Sequence, residues 1–142
     1  MARPRVDLPE AFDYSTEASV RISNINYGMH LGADQVLPLA LETQMRFLAH
    51  LGYGMLDVAG GTIIMTDSVI VYKAQAAYGD RLRIELAVAG FTDYGFDFVY
   101  RMTNKDTGVE VARVKTGILF YDYDNLKRQP VPEAFRARFA DR

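Results

Sequence analysis

The chain has 142 residues, 49% of them hydrophobic and 24% charged, with a net charge of −2. A chain of this length fits one folding unit over residues 1–142, and roughly 68–70% of its unfolded surface can be buried without staples. It has no cysteine, so disulfides, thiol nucleophiles and Cys-type zinc sites are excluded, and its two histidines, His30 and His50, match no metal-ligand spacing.

The mild acidity, with a pI near 5.6, gives no bulk attraction to nucleic acid. The N-terminus, MARPRVDLPEAFDY, has no apolar signal-like region, and no window approaches the ~18 apolar residues of a membrane span. The expectation is a cytoplasmic protein with no membrane, nucleic-acid or metal partner.

Residues 1–13 carry two prolines and read as an extended lead-in. EASVRI, 17–22, is β-prone and is expected to be the first strand. A polar, Gly-punctuated loop follows from Ser23 to Ala33. It contains Asn24, Asn26, Tyr27, Gly28, His30 and Gly32. Asp34 then stands as N-cap or first-turn acid of a helix running to about Leu51, with Pro38 near its start, where a missing N–H matters least. Val36, Leu37, Ala40, Leu41, Phe47, Leu48 and Leu51 spread over a wide apolar arc, and Glu42, Arg46 and His50 share the opposite face. Gln44 points into the apolar arc. It requires a partner, a water, a cavity or a subunit interface.

Glycines at 52, 54, 60 and 61 mark the exit from the helix. Strands are expected over 62–74, 81–88, 94–102 and 109–121, joined by turns at Tyr78-Gly79-Asp80 and Asn104–Gly108. In the second of these, Leu82, Ile84, Leu86 and Val88 alternate with Arg81, Arg83 and Glu85. In the third, Phe96, Phe98, Tyr100 and Met102 share a face. A short helical pattern, PEAFRARFADR, closes the chain. The order strand, loop, long helix, four strands gives an α+β fold: an antiparallel sheet of about five strands around one helix. Apolar residues on both faces of several strands, and an open sheet edge, point to a homodimer or homotetramer.

This order, with a Gly/His/Asn loop before the helix, resembles the hotdog fold. More narrowly it resembles the 4-hydroxybenzoyl-CoA thioesterase-like family, over about residues 15–122. The family loop reads Asp-x-Asp-x-x-Gly-His-Val-Asn-Asn. Setting His30 on the family histidine puts Leu31 on the Val position and Leu37 on a later Leu. VIVYKAQAAYGDRLRIEL resembles the family's strand, basic-Pro, Gly-Asp, strand sequence. The chain departs from the pattern at several points. Asn24 and Asn26 replace the two aspartates, the second of which is the family's usual catalytic carboxylate. Met29 replaces the glycine before the histidine, Gly32-Ala33 the Asn-Asn pair, Leu41 the helix acid, Gln44 its arginine, and Lys73-Ala74 the basic-Pro.

The resemblance implies hydrolysis of an acyl-CoA or acyl-carrier thioester at a dimer interface, with coenzyme A as part of the substrate and no cofactor. The residues permit it in part. A helix N-terminus around Gly32 offers N–H donors to an oxyanion. Asn26 can orient water or donate to a carbonyl but cannot act as a base. His30 and Asp34 can act as bases. Tyr27, Gly32, Asp67 and Lys73 are candidate substrate contacts, Lys73 for the phosphates. Plainer roles stay open beside these: Asp34 as an N-cap, Asn26 and His30 as loop formers, Asp67 as an interface polar residue and Lys73 as a solvated strand end. A protein that binds acyl-CoA without turning it over is the alternative, favoured by asparagine at position 26.

Overall fold

The computed structural model describes residues 2–54 and 56–140. Strand β1 (Tyr14–Ser19) leads through the loop and a short 3-10 turn (Ala33–Gln35) into helix α1 (Val36–His50). Strands β2 (Ile63–Tyr72), β3 (Arg81–Ala89), β4 (Gly95–Asn104) and β5 (Glu110–Asp122) follow. A two-residue β6 (Lys127–Arg128) and helix α2 (Glu133–Arg138) end the described chain. The sheet is antiparallel throughout, in the order β1-β3-β4-β5-β2, with β6 beside β5. It is the expected hotdog architecture, a curled sheet with one long helix in its hollow.

Sheet register follows the alternation in the sequence. Ile84 pairs with Met102, Leu86 with Tyr100 and Val88 with Phe98, so both apolar sets share the face toward α1. On β5 the inward set is Ala112, Val114, Thr116, Ile118 and Phe120. Val36, Ala40, Thr43 and Phe47 of α1 are buried against this face, and Phe47 meets Phe98 edge-on with ring centroids 6.2 Å apart. The end of α1 is a Schellman motif. The Gly52 amide donates to the Ala49 carbonyl and the Tyr53 amide to that of Leu48, with Gly52 at φ +85°, a conformation that favours glycine.

Three expectations need correction. The first strand lies three residues earlier than expected, because its pairing runs from Tyr14 opposite Leu86 to Ser19 opposite Arg81 and stops where β3 begins. Asp34 does not cap α1. It sits in the 3-10 turn, Gln35 occupies the cap position, and no side-chain cap bond is made. The second sheet face is not left for a partner alone, because the lead-in crosses it. Arg113 Nη1 donates to the Val6 carbonyl at 3.1 Å, the Asp13 amide donates to the Leu86 carbonyl, and Arg101 stacks over Phe12. Ala87 and Val99 point outward on the sheet and yet are buried.

Three core polar atoms lack a hydrogen bond of good geometry among the described residues: Gln44 Oε1, Tyr100 Oη and Thr116 Oγ1. Burial pushes the Tyr100 phenol well above its ordinary range, a shift that the neighbouring Thr116 hydroxyl only partly offsets. On the outer face, burial also raises Asp97, Lys115 lowers it, and the nearby Asp67 adds to the rise. A carboxylic acid whose pKa is higher folded than unfolded favours the folded state below its ordinary range. That contribution is lost as pH rises through the folded pKa. Asp97→Asn is therefore expected to raise stability at neutral pH, by less than about 1 kcal/mol at this partly exposed site. It should also make stability climb more steeply from acid to neutral pH, because the one contribution that falls with rising pH is removed while the lowered carboxyls of Glu17, Asp106 and Asp122 keep theirs, as read by urea titrations from pH 3 to 7.

The two sheet edges differ. On β1, Arg46 of α1 reaches Thr16 Oγ1 at 3.0 Å and the Glu17 carbonyl at 3.1 Å, so a charged side chain occupies that edge. The same guanidinium pairs with Glu42 at 2.8 Å, one helical turn earlier. On β2 the middle of the strand, Met65 to Ser68, is exposed. Beyond β5, no strand pairs with β2 among the described residues.

Candidate active site at the N-terminus of the central helix

The loop before α1 is a tight hairpin built on Asn26. Its Oδ1 accepts the Gly28 amide at 2.9 Å and the His30 amide at 3.3 Å. The Asn26 amide in turn donates to the His30 carbonyl at 2.8 Å. This Asx-turn arrangement is why an amide or carboxylate is needed here, since both offer the acceptor oxygen. Met29 takes a left-handed φ of +66° at the turn, where the family pattern has glycine. The hairpin is anchored from outside as well, the Leu31 amide donating to the Ala76 carbonyl at 2.7 Å.

Gly32 then delivers the chain to the helix. Its amide donates to the Asn24 carbonyl at 2.9 Å, and Asn24 Nδ2 donates to Gln35 Oε1 at 3.1 Å. A Cβ at Gly32 would fall 2.5 Å from Asp34 Oδ1, so the Asp34 carboxylate lies directly over this glycine. Among the described residues the only hydrogen bond to that carboxylate is a long one from Gln35 Nε2, 3.5 Å to Oδ2. Neither the Ala33 nor the Asp34 amide makes a hydrogen bond among the described residues. Two unengaged N–H groups before a 15-residue helix are donors of the type that can stabilise a developing negative oxygen.

The loop thus joins Asn26 to the His30 backbone and sets Asp34 over Gly32, while the His30 ring lies beside Gly28. Tyr27 sits at the hairpin tip with 105% relative exposure. Asp67 and Lys73 are carried elsewhere. Asp67 pairs with Gly117 on the outward face of β2, its carboxylate lying over that glycine, and accepts from Thr66 Oγ1. Lys73 lines a 150 Å³ groove under the lead-in with Val6, Val71 and Arg113. Tyr72, between them in the alternation, points the other way and donates to the Ala33 carbonyl at 2.9 Å. The sequence reading missed Tyr72. Its place at the end of an alternating strand, on the face of Ile70, was the available signal. Among the described residues no group of three or more His, Asp and Glu side chains is arranged to hold a metal, and no helix is long and apolar enough to cross a membrane.

Comparison with known proteins gives the chain its context. No curated protein matches it. Among solved structures it is similar to a 1,4-dihydroxy-2-naphthoyl-CoA thioesterase from Synechocystis, at 18% identity and a TM-score of 0.81, over 90% of this chain and 96% of that one. It is also similar to a hypothetical protein from Staphylococcus aureus in complex with CoA, at 13% identity and 0.81, over 94% and 86%. A putative thioesterase from Pseudomonas aeruginosa resembles it at 14% identity and 0.81, over 90% and 98%. At these identities the likeness carries the fold alone. The sequence model of the Thioesterase-like superfamily, however, matches residues 20–139, from the end of β1 to beyond α2. The chain belongs to the Thioesterase-like superfamily.

Proposed function

We propose that this protein hydrolyses an acyl-CoA thioester at the N-terminus of α1. The observation that carries the reading is the pair of unengaged amides at Ala33 and Asp34, beside a glycine and under a nearly unpaired carboxylate. The thioester carbonyl oxygen would take those two donors. Gly32, with no side chain, lets the Asp34 carboxylate close in beside those donors. Asn26 Nδ2, which makes no hydrogen bond among the described residues while Oδ1 holds the loop, is free to orient the carbonyl or a water. The Asp34 carboxylate, or the His30 imidazole, takes a proton from water as its oxygen attacks the carbonyl carbon. The tetrahedral oxyanion is held by the amides, the C–S bond breaks, and the departing thiolate takes a proton back. The structural relative in complex with CoA supports coenzyme A as the carrier. The open edge of β2, ten residues long, supports a second copy pairing there and completing the site. Asp67 and Lys73, on the other sheet face, take no part in this scheme.

The alternative is a protein that binds acyl-CoA without hydrolysing it. Asn26, where the resembled family carries a carboxylate, favours it. A panel of short, long and aromatic acyl-CoAs separates the two. Expected is turnover by the wild type and a fall in kcat of about 10²-fold or more in Asp34→Asn or His30→Ala, with melting unchanged. A silent wild type that gains turnover in Asn26→Asp would instead establish the binding protein.

A further inference from the structure

The two N–H donors of the proposed reaction are held by different means. Each belongs to a planar trans peptide, so its direction follows from what holds the carbonyl on the other side of the same plane. For the Ala33 N–H that carbonyl is Gly32, which accepts the Gln35 amide at 2.9 Å within the turn. For the Asp34 N–H it is Ala33, and a side chain from a distant strand reaches it. Tyr72 Oη donates to the Ala33 carbonyl at 2.9 Å, across 39 residues of sequence. Tyr72 is the last residue of β2 and pairs with Ala112 of β5. The amide after it, Lys73, donates to the Val111 carbonyl at 2.8 Å. The sheet therefore fixes the backbone of Tyr72, while its side of the core is open and the residue is 54% exposed. A tyrosine so placed adds little to the core, and its hydroxyl goes to the peptide that carries a donor.

We propose that Tyr72 is a positioning residue for these donors: its hydroxyl holds the Ala33–Asp34 peptide so that the Asp34 N–H stays turned toward the thioester oxygen. The inference rests on the proposed hydrolysis at this helix end. Two effects act together. A flip of that peptide would put a carbonyl oxygen where the donor stands, and the flip breaks the Tyr72 bond. Ala33 and Asp34 are both exposed, so little packing opposes that motion. A carbonyl that accepts a hydrogen bond also polarises its peptide, and the N–H on the far side becomes the better donor. Both effects gain weight as negative charge builds on the substrate oxygen, so they act on the transition state more than on the bound thioester. Tyr72 touches no reacting atom in this scheme. It acts through the Asp34 amide.

The test is the steady-state kinetics of Tyr72→Phe on the acyl-CoA that the wild type turns over best. The expected fall in kcat is about tenfold, smaller than the loss of about 10²–10³-fold on deleting an oxyanion donor itself. KM and the melting temperature should stay as they are. In the amide NMR spectrum of the same variant, the Asp34 proton is expected to shift and to exchange faster with solvent. A second variant carries fluorotyrosine at position 72, which keeps the ring and donates more strongly. Below the ionisation of its phenol, its kcat is expected to match or exceed that of the wild type, a recovery that a merely structural role would not tie to the hydroxyl. A Tyr72→Phe enzyme with wild-type kcat overturns the proposal and leaves the hydrolysis standing. So does a raised KM at constant kcat, which would make Tyr72 a substrate contact, and so does a fluorotyrosine enzyme as slow as Tyr72→Phe. A wild type silent on every acyl-CoA removes the hydrolysis itself, and the positioning role with it.

Discussion

Replacing Phe135 by alanine is expected to cost about 3–5 kcal/mol, the range for deleting a buried aromatic ring from a packed core. Phe135 has no exposed surface. Its ring contacts those of Tyr53, Phe91, Phe96, Phe120 and Phe139, the shortest separation being 4.9 Å to Phe96. α2 is only six residues long and has little helical stability of its own, so it is held by this ring. Arg136 adds a bond to the Thr92 carbonyl at 2.7 Å and Arg138 one to the Leu51 carbonyl at 3.1 Å, both exposed. Removing the ring leaves a cavity where α2, the end of α1 and the start of β4 meet. Urea unfolding should show the loss directly. Amide exchange should show α2 opening first, and a loss under 1 kcal/mol would mean that α2 is an ornament on a core complete without it.

Gly32→Val is expected to abolish most turnover, about 10²-fold or more in kcat, with a much smaller effect on stability. The added Cβ would fall where Asp34 Oδ1 now lies. The carboxylate must swing away, and the branched side chain then covers the amides of Ala33 and Asp34. Losing one preorganised oxyanion donor is worth about 10²–10³-fold, and here the base is displaced as well. The backbone at Gly32 is ordinary, with φ −66° and ψ 144°, so the substitution strains no dihedral angle. Steady-state kinetics beside a thermal melt separates the two effects. Unchanged kcat would remove the helix N-terminus from the reaction.

The fold was legible because its period-two strands each have one plainly apolar face. Leu82 to Val88 and Phe96 to Met102 could be assigned to a common core from spacing alone, and the register bears this out. The long helix was legible for the same reason. Boundaries were less so. EASVRI is as β-prone as YSTEAS, and what decides between them is where β3 starts, a long-range fact. The site was legible as a loop but not as a set. The contacts of Asn26 with the His30 backbone and of Asp34 with Gly32 are between near neighbours in sequence, so local turn chemistry makes them. Asp67 and Lys73 are far from them in sequence, and which sheet face they occupy depends on the irregularity between Met65 and Asp67. One residue of slip there exchanges the two faces. The role of Tyr72 depends on the same slip.

The lead-in that crosses the sheet bears on where this folding unit begins. The superfamily match starts at residue 20, yet Val6 is almost wholly buried and the Asp13 side chain accepts the Val88 amide at 2.8 Å. A polypeptide cut at the matched boundary would lose all of β1, leaving β3 as a raw edge, and would bare Ala87 and Val99 to water. Recombinant versions, truncation series and domain-swapped chimaeras should therefore keep everything from Arg3 onward, and affinity tags belong at the other end.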